Sequence, residues 1–112
     1  MANIGAIPTG VSVIIDPSVT GVQTGNTFLF QPGADDADYS VLFQATGTLT
    51  GLSSDLQVSL DGGTTFQNIT NGTAFLTAAA PNKVLTPAIA GCLFRFNHTA
   101  STGNAVIRAV AN

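Results

Sequence analysis

Alternating apolar and polar residues mark the centre of the chain as β-structure. Leu56, Val58 and Leu60 would share one face of a strand, with Gln57 and Ser59 on the other. Elsewhere strand and turn residues dominate and helix formers are scarce. The further predicted strands lie at 11–15, 27–30, 40–45, 65–70, 73–77, 92–97 and 105–110. These eight short strands predict an all-β fold, an antiparallel β-sandwich or jelly-roll-like single domain.

Turn signals indicate how neighbouring strands connect. Asp61-Gly62-Gly63 and Asn71-Gly72 would join three central strands into a meander, because Asn-Gly is typical of a two-residue type I′ hairpin. In that register Thr70 pairs with Thr73, and both faces of the hairpin carry mixed apolar and polar side chains. A second hairpin, with its turn at 101–104, would close the chain. Mixed, uncharged faces favour a surface covered by other subunits, and a Thr-rich surface on an isolated sandwich is the alternative.

The first ten residues have a different composition and are predicted to form an extended N-terminal arm, leaving 11–112 as the sandwich domain. This segment has too few apolar residues for a core strand and too many for a solvated tail. We expect it to order against a partner through Ile4, Ile7 and Val11. A frayed terminus is the alternative interpretation.

Composition narrows the classes of function. Only 8% of the residues are charged, against 45% that are hydrophobic, and the charged set is six Asp and three Lys or Arg. Three bases cannot neutralise a run of phosphates, so no nucleic-acid partner is expected. No apolar stretch approaches the roughly 20 residues of a membrane span. The N-terminus lacks the pattern of a signal peptide, so synthesis in a cytoplasm is expected.

The sequence offers little for catalysis, and we expect no enzyme activity and no cofactor. His98, the single histidine, follows a predicted strand end and is expected to be an exposed turn residue. Cys92 lies in an apolar run without a neighbouring base and is expected to pack as a small hydrophobe. Asp35, Asp36 and Asp38 could approach one cation, but they lack calcium-loop spacing, so a solvated loop is the preferred interpretation.

The most informative motif is Ser59-Leu60-Asp61-Gly62-Gly63-Thr64-Thr65-Phe66. The Asp61 carboxylate is expected to accept hydrogen bonds from turn amides, while Gly62 and Gly63 supply positive φ. Phe66 would anchor the returning strand in the core. The motif resembles the Asp-box hairpin of sialidase-like propellers, where it also serves structure, but a single copy does not build a propeller.

The same hairpin resembles one found in small β-rich structural proteins of tailed bacteriophages. The resemblance extends to the strand entry at 87–96 and to the closing strand at 102–108, which together with the hairpin cover about the second half of the chain. Phe66 stands where Trp is more usual in this hairpin. The resemblance implies a β-sandwich module of the virion.

Within that class the leading hypothesis is a capsid decoration, or cement, protein on the capsid surface. It would be a homotrimer that bridges subunits of the major capsid protein. Arg95 and Arg108, each predicted inside a strand, would pair with Asp across a subunit boundary, or else extend to the sheet surface. The alternatives are a receptor-binding or carbohydrate-binding module of a tail or head fibre, and another tail structural component.

Overall fold

The computed structural model describes residues 2–31, 39–87 and 92–112. Strands make up its regular structure, and the described part contains no helix. The strands are β1 (Asn3–Ala6), β2 (Val13–Val19), β3 (Gln23–Thr24), β4 (Thr27–Leu29), β5 (Val41–Gly47), β6 (Ser53–Ser59), β7 (Gln67–Asn68), β8 (Leu76–Thr77), β9 (Asn82–Leu85), β10 (Leu93–Ala100) and β11 (Ala105–Ala111).

Two sheets pack against each other, which confirms the all-β sandwich. The seven-stranded sheet has the order β1-β4-β10-β6-β7, with β3 also paired to β10 and β8 to β6. The four-stranded sheet has the order β2-β11-β5-β9. All strand pairs are antiparallel except β1 with β4.

Aromatic rings fill the space between the sheets. Phe43, on β5 of the four-stranded sheet, lies 5.2 Å from Phe96 and 5.7 Å from Phe28, both on the seven-stranded sheet (centroid distances). Edge-to-face and tilted contacts of this kind add to the free energy gained by burying the rings. The six buried phenylalanines are Phe28, Phe30, Phe43, Phe75, Phe94 and Phe96.

The closing hairpin predicted from the sequence is wrong. β10 pairs with β3, β4 and β6 in one sheet, whereas β11 pairs with β2 and β5 in the other. The turn between β10 and β11 therefore crosses from one sheet to the other. Both strands bury alternate side chains, and crossing lets each of them face the shared core.

The predicted meander is also wrong, because β7 and β8 both pair with β6 and not with each other. Ile69 accepts a hydrogen bond from the Gly72 amide (2.8 Å), and Asn71 alone of the two turn residues has positive φ, at 63°. A type I′ turn needs positive φ at both positions. Phe75 and Leu76 are consecutive and both buried, which a regular strand with alternating faces does not allow. The segment between β7 and β8 instead follows β6, where the Ile69 amide donates to the Leu56 carbonyl and the Leu56 amide donates to the Gly72 carbonyl.

The N-terminal segment, predicted as an arm, runs along both sheets of its own chain. β1 pairs with β4, and the Ile7 amide donates to the Leu29 carbonyl at 2.9 Å. Beyond Pro8 the chain reaches the other sheet, where the Gly10 amide donates to the Ala111 carbonyl at 2.7 Å. Ile7 is 2% exposed and belongs to the core, so its side chain is covered within the chain. Contact of this segment with a partner stays a prediction.

Replacing Ile7 by Ala should lower the free energy of unfolding by about 2–5 kcal/mol, because it removes buried methyl groups and leaves a cavity. Denaturant unfolding measures this directly. Val11→Ala is the matched control, since Val11 is 59% exposed, and should change stability by no more than about 0.5 kcal/mol. Equal, small losses in both variants would contradict the assignment of the N-terminal segment to the folded core.

Candidate functional site

A polar cluster of three side chains lies inside the sandwich. His98 Nδ1 is 2.6 Å from Ser54 Oγ, and His98 Nε2 is 2.8 Å from Asp16 Oδ2. Asp16 comes from the four-stranded sheet, whereas Ser54 and His98 come from the seven-stranded sheet. The prediction of an exposed His98 is wrong: the residue is 0% exposed, because β10 continues to Ala100 and carries His98 inward.

Burial determines what this cluster can do. Serine, histidine and aspartate are the side chains of a hydrolase triad, but here Ser54 and His98 are 0% exposed and Asp16 is 2% exposed. A nucleophile needs access to its substrate, so these three residues do not form a substrate site. Asp16 Oδ1 also accepts from the Asn26 amide at 2.7 Å. Every buried side-chain N or O atom in the described part has a hydrogen-bond partner, as a stable polar core requires.

Close packing around Asp16 fixes its carboxylate. A Cβ placed on Gly25 would fall 2.2 Å from Asp16 Oδ2, so only glycine fits opposite the carboxylate. The sequence analysis missed this cluster. The alternation Phe94, Phe96, His98 was the signal for an inward histidine, but the polar neighbours of His98 suggested a turn.

Replacing Asp16 by Ala should destabilise the fold by about 3–5 kcal/mol, because it leaves His98 buried without its carboxylate partner. Ser54→Ala removes only a neutral hydroxyl from the same cluster, so about 1–3 kcal/mol is expected. Both values follow from denaturant unfolding at neutral pH. If Asp16→Ala loses no more free energy of unfolding than Ser54→Ala, the pair of Asp16 and His98 contributes little to stability.

The turn at 59–65 has the hydrogen bonds that its motif predicted. Asp61 Oδ1 accepts from the Thr65 amide at 2.8 Å and from Ser59 Oγ at 2.8 Å. Ser59 Oγ in turn accepts from the Gly63 amide at 2.9 Å. Gly62 and Gly63 have φ of 75° and 100°, which supports their predicted role. The hydrogen bond from the Thr65 amide, followed by that from Ser59, lowers the pKa of Asp61 below its ordinary 3.8.

The low pKa of Asp61 makes the turn sensitive to acid. Because the folded-state pKa is depressed, the ionised carboxylate stabilises the fold above about pH 4, and this contribution disappears as the pH falls through the folded-state pKa. We therefore expect Asp61→Asn to be less stable than the native protein at neutral pH, with the gap narrowing in acid. Unfolding curves of both proteins across this pH range measure the gap. A gap independent of pH would contradict the role of the charge.

Phe66 lies outside the core, contrary to the prediction that it anchors the returning strand there. Its ring is half-buried and is covered by the Arg95 guanidinium, whose Cζ is 3.9 Å from the ring centroid. Arg95 Nε donates to Gln57 Oε1 at 2.9 Å. Partial burial lowers the pKa of Arg95, but an arginine side chain stays charged at neutral pH. The predicted pairing of Arg95 with an Asp of another subunit stays a prediction.

The outer surface of the four-stranded sheet carries several exposed or half-buried aliphatic side chains. Val110 on β11 pairs with Leu42 on β5, and Leu42 pairs with Val84 on β9, so three aliphatic side chains stand in one row. Leu42 is 39% exposed and Val84 is 60% exposed. We call this surface the outer apolar face, and its members are Ile14, Leu42, Val84, Val106 and Val110.

One charged side chain stands on the outer apolar face. Arg108 pairs with Ile14 on one side and Gln44 on the other, and its Nη1 donates to Thr46 Oγ1 at 2.9 Å. An open groove of about 300 Å³ crosses the end of the face between Leu42 and Val84. Gly10 also lines this groove, which brings the N-terminal segment and Val11 next to it. Ile4 is half-buried and lies on β1, in the other sheet.

Candidate metal ligands do not cluster in the described part of the chain. Asp35, Asp36 and Asp38 lie outside the described residues. Within them, no group of three or more His, Cys, Asp and Glu is close enough to hold a metal ion. Cys92 is half-buried with a free thiol. No helix long and apolar enough to span a membrane occurs in residues 2–31, 39–87 or 92–112.

Comparisons with protein-family models, with curated proteins and with solved structures found no match to this chain. A function is therefore inferred from its surfaces and from the motifs in its sequence.

Proposed function

We propose that this protein is a non-enzymatic structural subunit that docks on another protein through the outer apolar face. The observation that carries the proposal is the exposed row of Val110, Leu42 and Val84. An antiparallel sheet that faces water on one side normally has polar residues there. Covering aliphatic side chains with a partner removes them from water at about 25 cal/mol per Å² of apolar area.

Charge supports the same role. Among the described strands, Arg108 is the single charged residue on the outer apolar face. Its two cross-strand neighbours, Ile14 and Gln44, are uncharged. A partner surface that combines aliphatic side chains with one carboxylate would match this arrangement. Such a pair would fix the orientation of docking, because the guanidinium already donates to Thr46 and has further N–H donors.

The particular assembly follows from the sequence resemblance. The sequences of the hairpin at 59–66 and of the segments 87–96 and 102–108 resemble those of tailed-bacteriophage structural proteins. The protein is on this basis a capsid decoration, or cement, protein of the virion. It is a homotrimer that bridges subunits of the major capsid protein. Contacts spread over several capsid subunits add binding energy that must be lost before the shell can open.

The alternative is a receptor-binding or carbohydrate-binding module of a tail or head fibre, or another tail structural component. The observation that favours a carbohydrate-binding module is the outer surface of the seven-stranded sheet. Arg95, Gln57 and Asn68 stand side by side there and are joined by hydrogen bonds.

Co-sedimentation with empty capsid shells of the phage tests the proposed function, together with the molar mass of the free protein from light scattering. The native protein should sediment with the shells and should be trimeric in solution. Val84→Asp should weaken shell binding by about tenfold or more, because it places a carboxylate among the aliphatic side chains that the partner would cover.

Val22→Asp is the control for this measurement. Val22 is 79% exposed and lies in the loop between β2 and β3, away from the outer apolar face. This variant should bind shells like the native protein. A monomer that ignores the shells would overturn the assignment as a decoration protein. Equal binding by Val84→Asp and the native protein would overturn the docking role of the face.

A further inference from the structure

The outer surface of the seven-stranded sheet carries an ordered row of polar side chains. Arg95 on β10, Gln57 on β6 and Asn68 on β7 are direct neighbours in the register of the sheet. Arg95 Nε donates to Gln57 Oε1 at 2.9 Å, and Gln57 Nε2 donates to Asn68 Oδ1 at 3.0 Å. Each carboxamide is thus fixed by a hydrogen bond on its oxygen and another on its nitrogen.

Arg95 is held in one orientation at the end of this row. Its guanidinium lies flat over the Phe66 ring, with 3.9 Å between Cζ and the ring centroid. Arg95 Nε donates to Gln57, whereas the two Nη groups of Arg95 have no hydrogen-bond acceptor among the described residues. A guanidinium held on an aromatic face loses little further freedom when it binds a ligand. The pair of Nη groups is a fork that matches both oxygens of a carboxylate.

A second polar row lies beside the first. Asn97 pairs with Thr24 on one side and with Asp55 on the other. Both Asp55 oxygens accept hydrogen bonds, from the Ala74 amide at 2.8 Å and from Asn68 Nδ2 at 3.2 Å. A second carboxylate would be repelled near Asp55, so a ligand carboxylate is directed to the Arg95 end of the surface. Hydroxyl groups can donate to Asp55 and exchange hydrogen bonds with Asn97 and Asn68.

The composition of this surface distinguishes a small polar ligand from a protein partner. Protein interfaces have an apolar core of aromatic and aliphatic side chains surrounded by a polar rim. The two rows consist of amide, hydroxyl and charged groups, and Leu93, the next outward residue on β10, lies beneath Gly63 of the turn. A ligand that offers one carboxylate and several hydroxyls fits this surface better than a protein does.

We propose that the Arg95, Gln57, Asn68 and Asn97 surface binds a carboxylate-bearing sugar, such as a uronic acid or a sialic acid. The carboxylate lies on the Nη groups of Arg95, and the sugar hydroxyls bond to the amides of the two rows. The site is on the opposite side of the sandwich from the outer apolar face. It can therefore act while that face is docked on another protein, and it does not depend on the proposed decoration role.

Titration of the isotopically labelled protein with glucuronic acid and with N-acetylneuraminic acid, followed by NMR, tests this site. The signals of Arg95 Nε–H and of the Gln57 and Asn68 side-chain amides should shift and saturate, with a dissociation constant in the millimolar range. Glucose, which lacks the carboxylate, should bind at least about tenfold more weakly. Arg95→Lys keeps the charge but loses the planar fork, and should also weaken binding by about tenfold.

Arg108→Lys is the matched control, because it makes the same change on the other side of the sandwich and should leave sugar binding unchanged. Phe66→Leu should weaken binding several-fold, since the guanidinium loses the ring that orients it. Equal affinity for glucose and glucuronic acid, or unchanged binding by Arg95→Lys, would overturn the proposal. Acetate, which has one carboxylate and no hydroxyls, should bind more weakly; acetate that binds as tightly as the acidic sugars would show that the hydroxyls contribute nothing and would also overturn it.

Discussion

The sandwich depends on the contact between Phe43 of one sheet and the inward side chains of β10 in the other. Phe43 lies 5.2 Å from Phe96, and two residues further along β10 His98 reaches the Asp16 carboxylate across the core. Apolar side chains tolerate repacking when the total volume is kept, so they specify one arrangement less sharply than a directed bond does. A buried hydrogen bond has a defined length and direction. The pair of His98 and Asp16 therefore joins the two sheets by one directed contact, while the phenylalanines contribute six buried rings to the core.

Because the core lies between the two sheets, it does not constrain the side chains on their outer surfaces. These two surfaces differ in chemistry. Leu42, Val84 and their neighbours make one surface apolar, whereas Arg95, Gln57 and Asn68 make the other polar and hydrogen-bonded. A subunit built in this way has two sides with different chemistry. In an assembly the apolar side would face protein and the polar side would face solvent and small solutes. The low charge of the chain then reflects one side that is covered and one side that is neutral but strongly polar.

The sequence predicted the fold class because its strands are short, rich in β-branched and aromatic residues, and separated by turn residues. It also predicted the turn at 59–66, where the chemistry of Asp61, Gly62 and Gly63 is local. Strand partners were predicted less well. A turn such as 101–104 looks the same whether the following strand returns in the same sheet or crosses to the other. Only the need of β10 and β11 to face one core decides between the two.

The candidate sites were harder to predict for the same reason. Asp16, Ser54 and His98 are far apart in sequence and meet only through packing of the two sheets. The outer apolar face requires the pairing of β5, β9 and β11, and the sequence analysis placed its mixed surface on the wrong strands. Arg95 was singled out from its position in a strand, but its contact with Phe66 was not foreseen, because Phe66 was expected in the core.

The position of β11 has a consequence for how the chain folds. This strand follows all the others along the chain, yet it lies between β2 and β5 in the middle of the four-stranded sheet. Among the described strands β2 pairs only with β11, and the N-terminal segment also needs Ala111 for its second contact. The four-stranded sheet therefore cannot form during synthesis until β11 has left the ribosome. Contacts between such distant parts of a chain form slowly, on a scale of about milliseconds to seconds. β5 can pair with β9 before β11 is made, but during that interval β2 and the other edge of β5 stay unpaired, which exposes the protein to aggregation.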